Sequence, residues 1–431
     1  RATTQLVSLT QRAQENRHYR FQTLAHWLTE EYLGECYLLL KRDSAAGVDG
    51  QSVGEFGANL EENLRELVAE LKSDRYRPQP VRRVYIPKGN GKLRGLGIPT
   101  VRDKVVQMGI KRMLEAIYEA DFMEGVSYGF RPGRSAHDAV NALDKAIMTR
   151  PVNHVVDMDI EKFFDNIDHQ WMMKCLEQRV TDRRLLRIIA RFLKAGVLEE
   201  GQVKESREGT PQGGVISPVL ANIYLHYVLD LWFERAAKRQ MRGYARIIRY
   251  ADDFVALFQT EKDADSFRVL LTERLAKFGL KISEDKARVV RFGRLEWQWA
   301  KQENRKPETF DFLGFTCFCS QSRYGSFKMG FRTAGTRFRK KARELNEWLK
   351  WVRNRFPLKQ WWPVLQKKLA GHYQYYGVSG NYAALERFYK TASRLAYKWS
   401  CRRSQKRGRT AARFLRFLSF NPLPNPKICH S

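Results

Sequence analysis

The segment RIIRYADDFVALF, residues 246–258, places two adjacent aspartates, Asp252 and Asp253, between two runs of apolar, strand-favouring residues. Ala-Asp-Asp is common in turns, because aspartate side chains bind turn backbone and tolerate unusual dihedral angles. A simple exposed hairpin is therefore one interpretation. The flanking runs instead indicate strands buried in a sheet. Two carboxylates at a buried turn repel each other and need a cation, so we expect a third carboxylate and a metal ion nearby.

The segment HVVDMDIEKFFDNIDH, residues 154–169, supplies candidates for the third carboxylate. It begins as a strand that carries Asp157 and Asp159. Side chains two residues apart on a strand point to the same face. Spacing alone therefore leaves both aspartates open as partners of the Asp-Asp pair.

The composition favours a folded protein that binds nucleic acid. Of 431 residues, 43% are hydrophobic, and 77 Lys and Arg against 47 Asp and Glu give a net charge of +30, which is typical of partners of a polyanion. Residues 331–431 hold 24 Lys and Arg against 3 Asp and Glu, a net charge of +21. No apolar stretch reaches membrane-spanning length and no signal peptide is visible. Six cysteines without a CxxC pair fit reduced thiols in a cytosol.

Strand and helix patterns alternate up to about residue 330 and predict an α+β body. Residues 81–99 indicate two short strands around a basic glycine turn. Helices are expected over about 101–122, 170–195 and 217–237.

Beyond Thr333 the strand patterns stop, and apolar residues recur at helical spacing in three stripes, with basic residues on the other faces. The stripes span residues 338–352, 365–376 and 385–399. This pattern predicts an all-α bundle, with Pro363 and Gly377 at the helix junctions.

Ordered motifs resemble those of a known enzyme family. Asp159 followed by Phe164, then PQGG at 211–214 and YADD at 250–253, resembles the palm of a reverse transcriptase. Further blocks resemble reverse transcriptases encoded by bacterial group II introns. They are GVDG (47–50), IPKGNGKLRGLGIP (86–99), SYGFRPGRSAHDAV (127–140), GTPQGGVISPVLANIYL (209–225), LKISEDKARVV (280–290) and FDFLGF (310–315). The likeness covers about 41–320, and residues 369–388 extend it to that family's thumb, or maturase domain.

The resemblance implies a polymerase site in which Asp159, the Ile160 carbonyl and Asp252 bind two Mg²⁺ ions, for which Mn²⁺ can substitute. Carboxylate and carbonyl oxygens are the ligands that Mg²⁺ prefers. Asp253 is expected to support the site electrostatically. The resemblance selects Asp159 over Asp157, because only Asp159 is followed by an aromatic residue five positions later.

The resemblance also implies contacts with the incoming dNTP. Phe164 is then the ring that excludes a ribose 2′-hydroxyl, although a core position is the usual role of phenylalanine. Gln212 and Gly213 are expected to form the floor of the nucleotide pocket, where glycine lets backbone approach the substrate. Lys88 and Arg94 are expected to bind the triphosphate. A solvated basic turn is the alternative for that pair.

The remaining basic residues are assigned to proton transfer or nucleic acid. Lys286 is implied as the general acid for the departing pyrophosphate, with an exposed strand-end lysine as the alternative. Arg131 is expected to contact the template or to brace the fingers. The bundle is expected to bind the phosphates of the template–primer duplex with salt-dependent affinity. The cations assigned to that contact are Arg339, Lys340, Arg343, Lys350 and Arg353.

The implied architecture is a right-hand polymerase with fingers over 1–153, a palm over 154–330, a helical thumb over 331–403 and a short, basic, DNA-binding-like tail over 404–431. The implied protein is a bacterial cytoplasmic RNA-dependent DNA polymerase that extends a DNA primer or target DNA on an RNA template. Group II intron RNA is the implied partner, for splicing and retrohoming. No Cys/His endonuclease cluster follows Trp399, as expected of class C-like relatives.

Three other functions stay open. A free-standing reverse transcriptase recruited for host DNA repair or phage defence has the same enzyme motifs, and a flanking intron ribozyme distinguishes the two. An RNA-binding maturase without polymerase activity is disfavoured by the intact Asp159, Asp252 and Asp253. An RNA-dependent RNA polymerase is disfavoured by Phe164.

Overall fold

The structure of the chain is a computed structural model that describes residues 2–87, 93–199, 202–204, 209–210, 213–283, 287–402 and 410–430. By its internal contacts it divides into two units. The first comprises Arg1–Leu143 and Val155–Val289, and the second comprises Asp144–His154 and Val290–Ser431. Both helices and strands are present, which is consistent with the predicted α+β class. No helix among these described residues is both long and apolar enough to cross a lipid bilayer.

The helices that begin in the first unit are α1 (Ala2–Glu15), α2 (Glu30–Leu38), α3 (Val53–Ala58), α4 (Leu60–Lys72), α5 (Val101–Tyr118), α6 (Ala136–Thr149), α7 (His169–Leu176), α8 (Arg183–Lys194), α9 (Ser217–Leu225) and α10 (Glu261–Ala276). Capping side chains set several of their starts. Thr29 caps α2, and Thr100 caps α5. Helix α9 continues as π-helical turns over His226–Asp230 and Phe233–Ala237, which confirms the helix predicted over about 217–237.

The single helix predicted over about 170–195 is wrong, because α7 and α8 share this range. Asp182 separates the two helices. One of its carboxylate oxygens accepts backbone N–H groups in the first turn of α8. The other accepts the N–H groups of Leu24 and Ala25, at 2.6 and 2.7 Å. A carboxylate that binds two separate backbone segments keeps the chain out of a helix at this point.

The strands are β1 (Val81–Pro87), β2 (Leu93–Ile98), β3 (His154–Met158), β4 (Val197–Glu199), β5 (Gln202–Lys204), β6 (Ala245–Tyr250), β7 (Asp253–Phe258), β8 (Arg288–Arg291), β9 (Phe310–Phe312), β10 (Phe315–Gln321) and β11 (Phe327–Thr333). They form sheets with the orders β2-β1-β4-β5, β6-β7-β3-β8 and β11-β10-β9. The two strands predicted over 81–99 are confirmed as the antiparallel pair β1 and β2. The second sheet places β7 beside β3, so the two segments with the predicted catalytic carboxylates are neighbouring strands.

The strands β6 and β7 are buried, as their apolar runs predicted. Ile247, Ile248, Val255, Ala256 and Leu257 are each at most 1% exposed. A hairpin in this setting is anchored on both faces, so its turn has little freedom to move relative to the sheet.

The second unit contains α11 (Arg294–Gln302), α12 (Gly335–Val352), α13 (Leu358–Tyr376), α14 (Tyr382–Cys401) and α15 (Ala411–Phe420). The three predicted apolar stripes lie in α12, α13 and α14. Leu349, Leu369 and Leu385, one from each stripe, are at most 1% exposed, so the predicted helices are confirmed. By their contacts, the strands over 310–333, which the sequence placed in the palm, belong to this unit.

Pro363 does not mark a helix junction, contrary to the prediction, and lies inside α13. A proline in a helix interior usually costs about 3 kcal/mol, because it removes one backbone hydrogen bond and crowds the preceding turn. Trp361, Trp362 and Leu365 around it are buried. Their packing therefore holds the helix together through the proline. Gly377 does lie at the end of α13, as predicted.

The segment predicted as a basic tail includes a packed helix, α15. The ring of Phe417 lies 4.9 Å from that of Trp362 on α13, and the Trp362 indole donates a hydrogen bond to the Asn421 carbonyl at 3.1 Å. Further on, His430 forms a β-bridge with Val378. The end of the chain is thus attached to the bundle at two points.

Candidate active site

The hairpin formed by β6 and β7 has a turn of only two residues. Tyr250 pairs with Asp253 in the strand register, so Ala251 and Asp252 form the turn. Ala251 has a φ of 58°, a left-handed conformation that costs an alanine about 1–2 kcal/mol. Two-residue hairpin turns need a positive φ, which glycine usually supplies. The fold therefore holds Asp252 in a defined position with some backbone strain.

Asp159 follows β3 directly. Its carbonyl accepts the Ser283 N–H at 2.8 Å, and the Glu161 N–H donates to the Lys281 carbonyl at 2.8 Å. Ile160 lies opposite Ile282 between these two bonds. The two residues form a non-hydrogen-bonded pair of an antiparallel ladder. The ladder therefore uses the Asp159 carbonyl and leaves the Ile160 carbonyl outside it.

The carboxylates of Asp159 and Asp252 lie within electrostatic range of each other. Burial raises the pKa of Asp252, and the negative charge of Asp159 raises it further, whereas Arg94 and Arg249 oppose the rise. Both aspartates are half-buried, and Asp253 is exposed at the start of β7. The structure thus brings together two of the three predicted carboxylates in a partly desolvated place where like charges repel.

Asp157 has a different neighbour. Its Oδ2 lies 3.5 Å from Nη2 of Arg288 on β8, the strand next to β3 in the sheet. Arg288 therefore compensates part of the Asp157 charge, whereas the charge of Asp159 acts on the carboxylate of Asp252. This difference separates two aspartates that strand alternation left equivalent.

The residues present fit a divalent metal ion. Asp159, Asp252 and the Ile160 carbonyl offer the oxygen ligands that Mg²⁺ prefers, and Mg²⁺ commonly takes one or two protein carboxylates and completes its shell with phosphates and water. A cation between the carboxylates would remove the repulsion that raises the pKa of Asp252. Within the described ranges, no three His, Cys, Asp or Glu side chains are grouped to hold a metal ion. The predicted metal ligands are two carboxylates and the Ile160 carbonyl, so they do not require such a group.

Two phenylalanines follow Asp159 and have different surroundings. Phe163 is 2% exposed and belongs to the core, where its ring lies 6.3 Å from that of Tyr224. Phe164 is half-buried, with its ring 5.4 Å from that of Phe163. Phe163 therefore fills the core position, and the partly exposed ring of Phe164 favours a contact with substrate.

The strand β2 and the loop before α9 approach each other closely. Gly213 has a φ of 110°, and a Cβ atom there would lie 2.9 Å from the Gly97 carbonyl oxygen on β2. Arg94, on the same strand, is exposed, and its charge lowers the pKa of Asp252. These two predicted nucleotide contacts are therefore on adjoining segments. Three further predicted residues, Lys88, Gln212 and Lys286, lie outside the described residues.

Arg131 has bracing contacts. Its side chain is 4% exposed and pairs with Glu119 at 2.6 Å. It also donates to the Ser127 carbonyl at 2.6 Å, and its guanidinium lies 5.5 Å from the centre of the Phe122 ring. Of the two roles expected from the sequence, these contacts favour bracing, because little of the guanidinium surface is left for a template.

The predicted nucleic-acid contacts of the bundle have unequal exposure. Three of them are exposed, namely Arg339, Arg343 and Lys350. Lys340 lies 3.8 Å from Glu344 in a surface ion pair. Arg353 is half-buried, with its guanidinium 4.4 Å from the centre of the Trp399 ring. Arg353 therefore contributes packing to the bundle as well as charge.

Arg249, immediately before the YADD motif, was not among the predicted site residues. Its side chain and that of Asp230 are both 0% exposed and form an ion pair at 2.5 Å. One signal was present, because a charged residue within a run of buried strand residues needs a buried partner. The partner is 19 residues away in the chain, in a π-helical turn that no local pattern marks.

Comparisons with known proteins show the family to which the chain belongs. The family model described as "Reverse transcriptase (RNA-dependent DNA polymerase)" matches residues 86–317, more than half of the chain. Protein YkfC of Escherichia coli is 33% identical over 347 residues, which are 72% of this chain and 86% of that protein. Group II intron-encoded protein LtrA of Lactococcus lactis is 45% identical over 176 residues, 40% of this chain and 29% of LtrA. The chain therefore belongs to the reverse transcriptases, RNA-directed DNA polymerases, and within them to the group that includes the group II intron reverse transcriptase/maturase proteins.

Proposed function

We propose that the chain extends a DNA primer on an RNA template with dNTPs, by two-metal nucleotidyl transfer at the turn between β6 and β7. The observation that carries this proposal is the electrostatic proximity of Asp252 and Asp159, from neighbouring strands, in a member of the reverse transcriptase family. Mg²⁺ is the proposed ion, and Mn²⁺ can take its place.

Asp159, Asp252 and the Ile160 carbonyl would hold the two ions. Bound there, the ions would lower the pKa of the primer 3′-hydroxyl and stabilise the charge on the leaving pyrophosphate. Asp253 adds negative charge from the exposed start of β7. The two-residue turn keeps Asp252 in place before substrate arrives, and such preorganisation reduces the barrier to reaction.

The nucleotide contacts follow from exposure and from the motif match. Arg94 binds triphosphate oxygens, because it is exposed and its charge already acts at Asp252. Phe164 excludes the ribose 2′-hydroxyl with the exposed part of its ring. Gly213 forms the floor of the pocket, where its close approach to β2 leaves no room for a side chain. By the motif match alone, Lys88, Gln212 and Lys286 complete this set.

The helical bundle of α12 to α14 supplies affinity for RNA and the template–primer duplex. Its support is the net charge of +21 over residues 331–431 and the exposure of Arg339 and Arg343. We further propose the right-hand arrangement of fingers, palm and thumb, and a group II intron RNA partner that the protein helps to splice and to carry to a new DNA site. The intron RNA partner is suggested by the similarity to a group II intron-encoded protein, and splicing and transfer to DNA are taken from the family resemblance of the motifs.

Primer extension with a matched active-site variant tests the proposal. The wild-type protein is given an RNA template annealed to a DNA primer, dNTPs and Mg²⁺, and a filter assay measures RNA binding in parallel. We expect template-directed extension by the wild type, and loss of extension with unchanged RNA affinity for Asp252→Asn. Tight RNA binding by a wild type that extends no primer with Mg²⁺ or Mn²⁺ would instead indicate a maturase without polymerase activity.

A further inference from the structure

Arg249, near the end of β6, donates hydrogen bonds from all five N–H groups of its guanidinium. Nε and Nη2 donate to the two carboxylate oxygens of Asp230, at 2.8 and 2.5 Å. Nη2 also donates to the Ser127 hydroxyl at 2.9 Å. Nη1 donates to the side-chain oxygen of Asn222 at 3.0 Å and to the backbone carbonyl of Ala251 at 2.8 Å. The last bond connects this buried cluster to the two-residue turn.

The backbone around the cluster holds the same turn. Arg249 exchanges two backbone hydrogen bonds with the segment 126–129, at 2.7 and 2.9 Å. The Asn222 amide donates to the Gly129 carbonyl at 2.6 Å. A Cβ atom on Gly129 would lie 2.2 Å from the Ala251 nitrogen. The turn is therefore in direct contact with the segment 126–129 and has no space to move towards it.

Asp230 reaches Arg249 from an unusual helical turn. It ends the π-helical segment His226–Asp230, and π-helical turns are rare and frequent at functional sites. Arg274 donates to the carbonyls of Val228 and Tyr227 in that segment, at 3.0 and 3.2 Å. These bonds stabilise a helix geometry that differs from the α-helix before it. The turn that carries Asp230 is therefore itself held in place.

We propose that Arg249 is a positioning residue for nucleotidyl transfer. Held by Asp230, it fixes the Ala251 carbonyl and with it the direction of the next side chain, Asp252. Without this bond the Ala251 peptide loses one of its restraints, and the Asp252 carboxylate can shift from its place near Asp159. The inference rests on the proposed function, because it takes Asp252 as a metal ligand. A displacement of about 1 Å at a reacting centre can lower a rate about 100-fold.

The alternative is that the ion pair contributes to stability alone. Removing one member of a buried ion pair leaves an uncompensated charge and is destabilising, whereas replacing both members by apolar residues is often neutral. The double variant Arg249→Met with Asp230→Leu therefore removes the bond to Ala251 without leaving a buried charge. A purely structural pair predicts normal activity for this variant, and a positioning role predicts its loss.

The chain offers a matched control in a second buried pair of the same unit. Arg179 lies 2.7 Å from Asp121, and their side chains are 2% and 9% exposed. Arg179 also donates to the backbone carbonyls of Arg17 and Ala13. None of these hydrogen-bond partners belongs to the β6–β7 turn. The double variant Arg179→Met with Asp121→Leu therefore removes a comparable pair away from the turn.

The experiment measures kcat and KM for a dNTP in primer extension, the thermal unfolding midpoint, and hydrogen exchange of the backbone amides of residues 245–258, for the wild type and both double variants. For Arg249→Met with Asp230→Leu we expect kcat to fall about 100-fold, with KM changed less than about threefold, and faster exchange at the turn. For Arg179→Met with Asp121→Leu we expect wild-type kcat and exchange.

A kcat for the Arg249 double variant equal to that of the control, with unchanged exchange at 245–258, overturns the proposal. Equal losses of kcat in both variants, together with equal drops in the unfolding midpoint, overturn it as well, because the role is then stability. Exchange needs no polymerase activity. If the wild type extends no primer, the proposed function has failed, and faster exchange in the Arg249 variant alone still supports the positioning of the turn.

Discussion

The β6–β7 turn and the helical bundle use charge in opposite ways. At the turn the charges are few and each has a fixed neighbour: Arg249 is 0% exposed, and Asp252 is half-buried beside Asp159. In the bundle and the segment after it they are numerous and mostly positive, with 24 Lys and Arg against 3 Asp and Glu over residues 331–431. Many of them, Arg343 among them, are exposed to water.

The different use of charge suggests that the turn serves the reaction and the bundle serves affinity for nucleic acid. A metal-dependent reaction needs a few groups at defined positions, because small displacements change the rate strongly. Binding to nucleic-acid phosphates depends on how many Lys and Arg side chains displace counterions from the nucleic acid. It depends little on the exact position of each side chain. We therefore expect changes of shape at the turn to alter the rate of extension, and changes of charge in the bundle to alter affinity and its dependence on salt.

The largest expected effect follows from a single methyl group at Gly129. In Gly129→Ala the Cβ atom would lie 2.2 Å from the Ala251 nitrogen, so the turn must shift and kcat should fall about 100-fold. The matched change in the bundle is Gly371→Ala, where a Cβ atom meets nothing within 4 Å. Primer extension should be normal in that control. Normal extension by Gly129→Ala would show that the turn tolerates displacement.

The next effect concerns sugar selection at Phe164. Phe164→Ala removes a half-buried ring and should raise ribonucleotide incorporation relative to dNTP incorporation roughly 10- to 100-fold, because the loss of a steric clash with the 2′-hydroxyl is worth about 1–3 kcal/mol. The control is Phe163→Leu, which alters the core beside it. That variant should lose stability and keep the sugar preference. Unchanged selectivity in Phe164→Ala would assign this ring to packing alone.

A smaller effect is expected from two exposed cations of the bundle. The double variant Arg339→Gln with Arg343→Gln should lower RNA affinity at low salt and make the slope of log affinity against log salt shallower by about two, about one for each lost phosphate contact. The single-turnover rate of extension at saturating RNA should stay unchanged. The control is Arg353→Gln, whose guanidinium stacks on Trp399 and whose loss should lower the unfolding midpoint. A wild-type slope in the double variant would place its phosphate contacts elsewhere.

The smallest effect is a pH dependence of stability from inside the bundle. Burial lowers the pKa of His372 to about 4, and Lys341 adds to the effect. In the unfolded state the pKa of this histidine is near 6.5, so the unfolded chain binds more protons than the folded chain between pH 6.5 and 4. The stability that the neutral His372 contributes to the folded state is therefore complete above pH 6.5 and is lost as the pH falls towards 4. Between pH 7 and 6 the expected loss is less than about 1 kcal/mol. His372→Phe should show a smaller drop in unfolding midpoint over that range than the wild type, and equal drops would contradict this account.

Local patterns predicted the elements whose own residues determine them. The alternation of Ile247 and its neighbours predicted buried strands, and the stripes at helical spacing predicted α12, α13 and α14. The motif order predicted that Asp159 and the Asp-Asp pair belong to one site. For the strands and helices the information lies within about twenty residues of chain, where period and turn chemistry are visible. Asp159 and the Asp-Asp pair lie far apart in the chain, and it was the family resemblance that linked them.

Features that depend on distant contacts were missed. Pro363 remains inside a helix because buried tryptophans and Leu365 hold both sides of it, and α15 is placed by the ring of Trp362. Arg249 and Asp230 meet through a π-helical turn. None of these contacts produces a periodic pattern of apolar residues along the chain, so local sequence does not reveal them.

The most direct test of the metal site compares Asp157 and Asp159, two aspartates that strand alternation left equivalent. Mn²⁺ binding is measured by electron paramagnetic resonance, with dNTP present, for the wild type and for Asp157→Asn, Asp159→Asn and Asp252→Asn. We expect Asp157→Asn to bind Mn²⁺ like the wild type, because Arg288 is its neighbour, and the other two variants to lose the site. Wild-type Mn²⁺ binding by Asp159→Asn, or its loss in Asp157→Asn alone, would contradict the account.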